Sequence, residues 1–149
     1  MAVLSYHNQD ISFRFNRKRV VKQWIQHVVD NMSCSNVPPT IGHITFVFCS
    51  DSYLRDVNVQ YLKHDYFTDV ITFDYSTDSS ISGDVLISID TVKTNSQLYG
   101  VNFESELLRV MIHGVFHLLG YNDYTTDEFD LMKELEDRAL NIFNTIYDR

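Results

Sequence analysis

The chain has 149 residues, 44% hydrophobic and 21% charged, the size and composition of one folded domain spanning residues 1–149, which excludes disordered, collagen-like and low-complexity classes. Its formal net charge of -8 excludes a protein that coats polyanions by bulk electrostatics, because binding through counterion release needs clustered Lys and Arg. Met1 to Asp10 shows no basic start followed by an apolar run, and no uncharged apolar stretch approaches about 18 residues. Neither secretion nor membrane insertion is expected, and Cys34 and Cys49, which lack C-x-x-C spacing, read as reduced thiols of a cytoplasmic protein.

The average charge hides an asymmetry. Arg14, Arg17, Lys18, Arg19 and Lys22 fall within nine positions, with no acid between Asp10 and Asp30. This stretch is either a solvated helix face or a local patch for nucleic acid. From about Arg17 to Met32, Val20, Val21, Trp24, Ile25, Val28 and Val29 recur four apart and predict a helix with one apolar stripe. Ile41 to Cys49, rich in β-branched and aromatic residues, predicts a strand. A helix follows from near Asp51, with Leu54, Val57 and Tyr61 on one face. Thr68–Tyr75 and Ile81–Ile89 predict two strands joined as an antiparallel hairpin.

Asp90 is the expected cap of a short helix ending near Tyr99, and Asn102 that of the next, whose dipole Glu104 and Glu106 favour. That next helix is the most apolar of the chain, and Gly120 should end it. Thr125 and Glu128 match a capping box opening a last amphipathic helix, with Phe129, Met132, Leu135, Ala139, Ile142 and Ile146 facing inward. The class expected is α+β, a small mixed sheet packed with several helices around a central apolar helix.

On that central helix His113 and His117 stand four apart, about one turn along and 40 degrees round, so both imidazoles can address one point. Alone, such a pair is as compatible with two core histidines as with a ligand pair. The continuation HGVFHLLGYND adds to it: Gly120 lets the chain reverse, and Asp123 can return a carboxylate to the same point. This spacing follows the metzincin layout, in which a helix gives two ligands and the turn after it the third. Three protein ligands and an open fourth position are the arrangement of a catalytic zinc. Gly114 stands where H-E-x-x-H peptidases carry their general base, which disfavours that chemistry. Glu106, Arg109 and His113 share a side of the helix, either as an outer shell orienting the ligand or with Glu106 and Arg109 as an ordinary intrahelical pair.

These residues resemble the YbeY-type rRNA maturation factors, single-domain metal-dependent endoribonucleases whose hallmark reads H-G-x-x-H-L-x-G-Y-D-H, matched by His113, Gly114, His117, Leu118, Gly120 and Tyr121. A second family segment is matched by Asn58, Tyr61, Asp65, Thr68, Asp69, Val70 and Phe73, and a third by Gly83, Asp84, Val85, Ile87 and Ser88. Two positions depart: Asn122 and Asp123 replace the family's D-H, and Leu62 replaces the arginine after the tyrosine. A carboxylate as third ligand lowers the charge of the site by one and makes the ion a weaker Lewis acid.

The resemblance implies cleavage of single-stranded ribosomal RNA during small-subunit maturation and ribosome quality control, with ribosomal small-subunit proteins as partners and neither DNA nor membrane. It implies one divalent ion, zinc by its donor set, held by His113, His117 and Asp123, with His113 and His117 also the catalytic residues. Lys63, His64, Arg17 and Lys18 are the expected phosphate contacts, Lys63 or His64 standing in for the missing arginine. Three other readings stay open at this stage. They are a ribosome-assembly RNA-binding factor whose metal is only structural, a small metallopeptidase, and a domain that holds no metal.

Overall fold

The computed structural model describes residues 2–62 and 68–148. Four strands, β1 (Val3–Asn8), β2 (Thr40–Cys49), β3 (Val70–Asp74) and β4 (Ser80–Ser88), lie in the order β1-β2-β4-β3. β1 and β4 run parallel to β2, and β3 pairs antiparallel with β4, Ile71 opposite Leu86 and Phe73 opposite Asp84. The helices are α1 (Lys18–Met32), α2 (Asp51–Leu62), α3 (Ile89–Tyr99), α4 (Phe103–Leu118) and α5 (Thr126–Ile142), the last ending in a wide turn closed by Asp148 N–H donating to the Phe143 carbonyl at 2.8 Å. The α+β class and the mixed sheet are as expected. Among the described residues no helix is long and apolar enough to cross a membrane.

Period-two alternation divides the sheet between two layers. Ile44, Phe46 and Phe48 of β2, with Val85 and Ile87 of β4, face α1, α4 and α5 in the larger core. Leu86 and Ile71 face the other way and are covered by Leu54 and Val57 of α2. In α1, Val21, Trp24, Ile25, Val28 and Val29 are buried as the stripe predicts, and Trp24 Nε1 donates to the Ala139 carbonyl at 2.8 Å, tying α1 to α5. α4 is the central element, buried on most of its circumference from Glu106 to Leu118.

Several expectations need correction. β1 is not among the elements the sequence predicts: a sheet-edge strand is only partly buried, so VLSYHN lacks a clean apolar alternation. The cap of α3 is Ser88, whose Oγ accepts from Thr91 N–H at 3.1 Å, because β4 runs directly into the helix. Asp90 instead accepts from Asp51 N–H at 3.0 Å. On α2 it is Asn58 that is buried while Tyr61 is exposed, resting edge-on against Phe73. On α5, Met132, Leu135 and Ala139 face inward, but Phe129 is exposed, and Ile146 in the turn after it is exposed as well. Cys34 is exposed and Cys49 buried, both free. Burial and the nearby Asp10, Asp51 and Asp90 push the Cys49 thiol up to about 12.

Candidate metal centre

The turn after α4 explains why Gly120 and Tyr121 stand where they do. Gly120, at φ 98, takes the left-handed conformation; its N–H donates to the His117 carbonyl and that of Tyr121 to the Phe116 carbonyl, both at 3.0 Å. This is the paired bonding of a Schellman cap, completed by the Tyr121 ring set edge-on against Phe116. Tyr121 Oη then donates to the Met32 carbonyl at 2.7 Å and anchors the turn on the end of α1. The chain therefore doubles back under its own bonding, and Asp123 arrives beside the two histidines.

His113 Nε2 and His117 Nε2 are 3.0 Å apart, and Asp123 Oδ2 lies 3.4 Å from the first and 3.5 Å from the second. The far side of each ring fixes its proton. His117 Nδ1 is 2.9 Å from the Tyr121 carbonyl, which can only accept, so that nitrogen carries the hydrogen. His113 Nδ1 likewise donates to Glu136 Oε2 at 2.6 Å. In the neutral rings both Nε2 atoms are thus left with lone pairs pointed at each other and at a carboxylate oxygen. Three acceptors this close repel one another unless a cation lies among them. Ligands about 2.0–2.1 Å from a tetrahedral centre stand about 3.3 Å apart, so the spacing and donor chemistry fit a divalent ion. The three side chains are brought together as the sequence predicts and could hold that ion.

Glu136 is the residue that sequence reasoning missed. It lies on α5 in the buried stripe with Met132, Leu135 and Ala139, and a carboxylate inside an apolar stripe was the readable signal. Its second oxygen accepts from Arg109 at 3.0 Å, and Arg109 also reaches Asp137 at 2.5 Å. Arg109 therefore spends itself on α5, so neither expected arrangement with Glu106 holds as drawn: no Glu106–Arg109 ion pair forms among the described residues, and Arg109 acts on His113 through Glu136. Burial pulls the His113 imidazole down, but the Glu136 hydrogen bond and charge, helped by Asp123 and Asp69, leave it above its ordinary value. Burial and the neighbouring His113 charge hold His117 below its own.

The three donors open into a cleft of about 880 Å³. Its floor is α4, one wall is β3, and the other is the start of α5. Asp69 lines it, and burial raises its carboxyl, with His113 partly opposing the rise. Burial likewise raises Glu106, against the pull of Arg109. Gly114 is required by close approach: a Cβ there would lie 2.6 Å from Val85 Cγ1. A peptidase glutamate at that position could not be housed.

The remaining predicted residues lie elsewhere. Arg17 pairs with Glu104 at 2.7 Å and Asp148 at 3.0 Å, at the opposite end of α4, about 20 Å from His117 along the helix axis. Lys18 is exposed near that same end, its Nζ 5.2 Å from the Tyr6 ring centroid. Lys63 and His64 lie outside the described residues. Leu62, where the resemblance expects an arginine, lines the cleft.

Comparison with known proteins bears on the chain's family and fold. A family model described as Endoribonuclease YbeY matches residues 4–144. Curated proteins named Endoribonuclease YbeY from Parabacteroides distasonis and Bacteroides thetaiotaomicron are 42% and 41% identical to this chain; the matches cover 93% and 94% of it and 94% and 98% of those proteins. The solution structure of a Thermotoga maritima protein shares the fold, with a TM-score of 0.60 at 20% identity, over 95% of this chain and 92% of that one.

Proposed function

This chain belongs to the Endoribonuclease YbeY family, and from that premise we propose that it is a metal-dependent endoribonuclease acting in ribosomal RNA processing, with His113, His117 and Asp123 as its metal ligands. The observation that carries the reading is the convergence of two imidazole nitrogens and a carboxylate oxygen within 3.5 Å. Two imidazoles and a carboxylate at near-tetrahedral spacing suit zinc, which we take as the ion. Bound there, a divalent cation supplies a Lewis acid for a phosphoryl oxygen and acidifies water.

The chain's own residues prepare that chemistry. Glu136 keeps the proton on His113 Nδ1 and the Tyr121 carbonyl keeps that on His117 Nδ1, so both Nε2 atoms face the cleft. Arg109 pins Glu136 in turn. The substrate in this reading is single-stranded ribosomal RNA in the cytoplasm, the context small-subunit assembly and its quality control. Lys63, His64 and Lys18 remain proposed phosphate contacts for RNA extending beyond the metal donors.

A structural metal in a binding factor is less well supported, because the turn carrying Asp123 is already held by the Schellman cap and the Tyr121–Met32 bond. The nuclease reading predicts that chelation abolishes RNA cleavage while circular dichroism shows the fold retained, whereas a metal staple predicts melting. Elemental analysis should find a stoichiometric ion in the wild type and none in Asp123→Ala, with cleavage lost in parallel. An unchanged metal content in that variant removes Asp123 from the ligand set, and cleavage by chelated protein overturns the reading.

A further inference from the structure

Many aromatic side chains of this protein pack on one another. Tyr6, Phe15, Phe46 and Phe48 stack on one another, and Trp24 packs on Phe143. Tyr99, Tyr124 and Phe129 make no ring contact among the described residues, are 62%, 85% and 57% exposed, and all line the cleft of the metal donors. Large exposed apolar surface gathered at one cleft marks a binding site, whereas scattered single side chains need no explanation. The three arrive from different elements: Tyr99 ends α3, Tyr124 follows Asp123, and Phe129 lies in the first turns of α5. Between Glu106 and His117 the cleft follows α4 for about 16 Å, so it exceeds the metal donors in length.

The chemistry of the lining selects what the rings receive. Asp69, Asp74, Glu106, Asp123 and Glu136 face Arg109 and Lys133 as the fixed cations of the described lining, and Arg109 is committed to Glu136 and Asp137. Such a surface is poorly suited to gripping a run of phosphates. Carboxylates do accept hydrogen bonds from the exocyclic amino groups of nucleobases, and flat exposed rings stack on base faces. A duplex hides those faces; an unpaired strand offers them.

We propose that Tyr99, Tyr124 and Phe129 are stacking platforms for the unpaired bases flanking the RNA bond that is cut, so that recognition here runs through base faces more than through phosphates. The proposal rests on the endoribonuclease reading of the same cleft. It suits a cleft lined by Leu62 where the resemblance expects an arginine.

The test uses metal-loaded full-length protein and a labelled single-stranded RNA of mixed sequence, with a second probe carrying abasic residues across its centre. Tyr124→Ala and Phe129→Ala should each weaken binding roughly 5- to 100-fold and raise KM alike, with kcat at saturating RNA and metal content retained. Phe129→Trp should restore affinity, whereas Phe129→Leu, apolar but not flat, should not. For wild type the abasic probe should bind as weakly as the intact probe binds to the variants. Unchanged affinity in both alanine variants, or a wild type that does not distinguish the two probes, overturns the stacking proposal. Wild-type protein that binds the intact probe but never cuts it overturns the nuclease reading instead, and the binding comparison still decides the rings.

Discussion

The two ends of α4 carry similar densities of charged and titratable groups and resolve them in opposite ways. At the N-terminal end Glu104 takes Arg17 at 2.7 Å, Arg17 also reaches Asp148, and the guanidinium lies 5.1 Å from the Phe143 ring centroid. There the Arg17 guanidinium is committed to two carboxylates and has little charge to offer a ligand. At the C-terminal end two imidazole nitrogens and a carboxylate oxygen converge on one point, where the negative end of the helix dipole also favours a cation. Charge density alone does not distinguish the two. What marks the functional end is a set of acceptors that the fold holds together without satisfying.

Glu136→Gln should break that end most sharply after loss of a ligand. The amide removes the negative charge behind His113 and can present a donor where His113 Nδ1–H needs an acceptor. Metal affinity should fall about 10- to 100-fold, measured by competition with a chelating dye, while far-ultraviolet circular dichroism stays at the wild-type value. Equal affinity would mean that Glu136 only packs α5 against α4.

Gly120→Ala tests the turn rather than the ligands. Nothing lies within 4 Å of a Cβ built there, so the penalty is backbone alone, from φ 98. Stability in urea should drop by about 1 kcal/mol, and metal affinity should fall with it as Asp123 is displaced. A stability loss with unchanged affinity would show that Asp123 reaches the histidines without that turn.

What the sequence disclosed about these two ends follows from the range of the interactions involved. His113, His117, Gly120 and Asp123 lie within eleven residues, and helix periodicity plus one glycine cap suffices to bring them together. The capping box at Thr125 and the cap at Asn102 are equally local and form as expected. Glu136 is twenty-three residues from His113, and its approach depends on how α5 docks on α4, which no local pattern records. The partners of Arg17 lie 87 and 131 positions away, so Arg17 reads in sequence as unopposed charge. β1 escaped notice for a related reason: its register is set by β2, not by its own alternation. Phe129 and Tyr61 fit an apolar period but sit where no layer covers them.

The smallest expected effect, and the most informative about the quiet end of α4, belongs to Arg17→Ala. Partly exposed ion pairs contribute about 0–1 kcal/mol after side-chain entropy and solvent screening, so urea unfolding should shift by no more than that, with some loss of packing on Phe143. Because both of its carboxylate partners already neutralise it, Arg17 has little charge to offer a phosphate, and the slope of log RNA affinity against log salt should match wild type. A phosphate contact at this position would instead reduce that slope by about one. The outcome decides whether RNA is confined to the cleft along α4 or also reaches the basic stretch around Arg17.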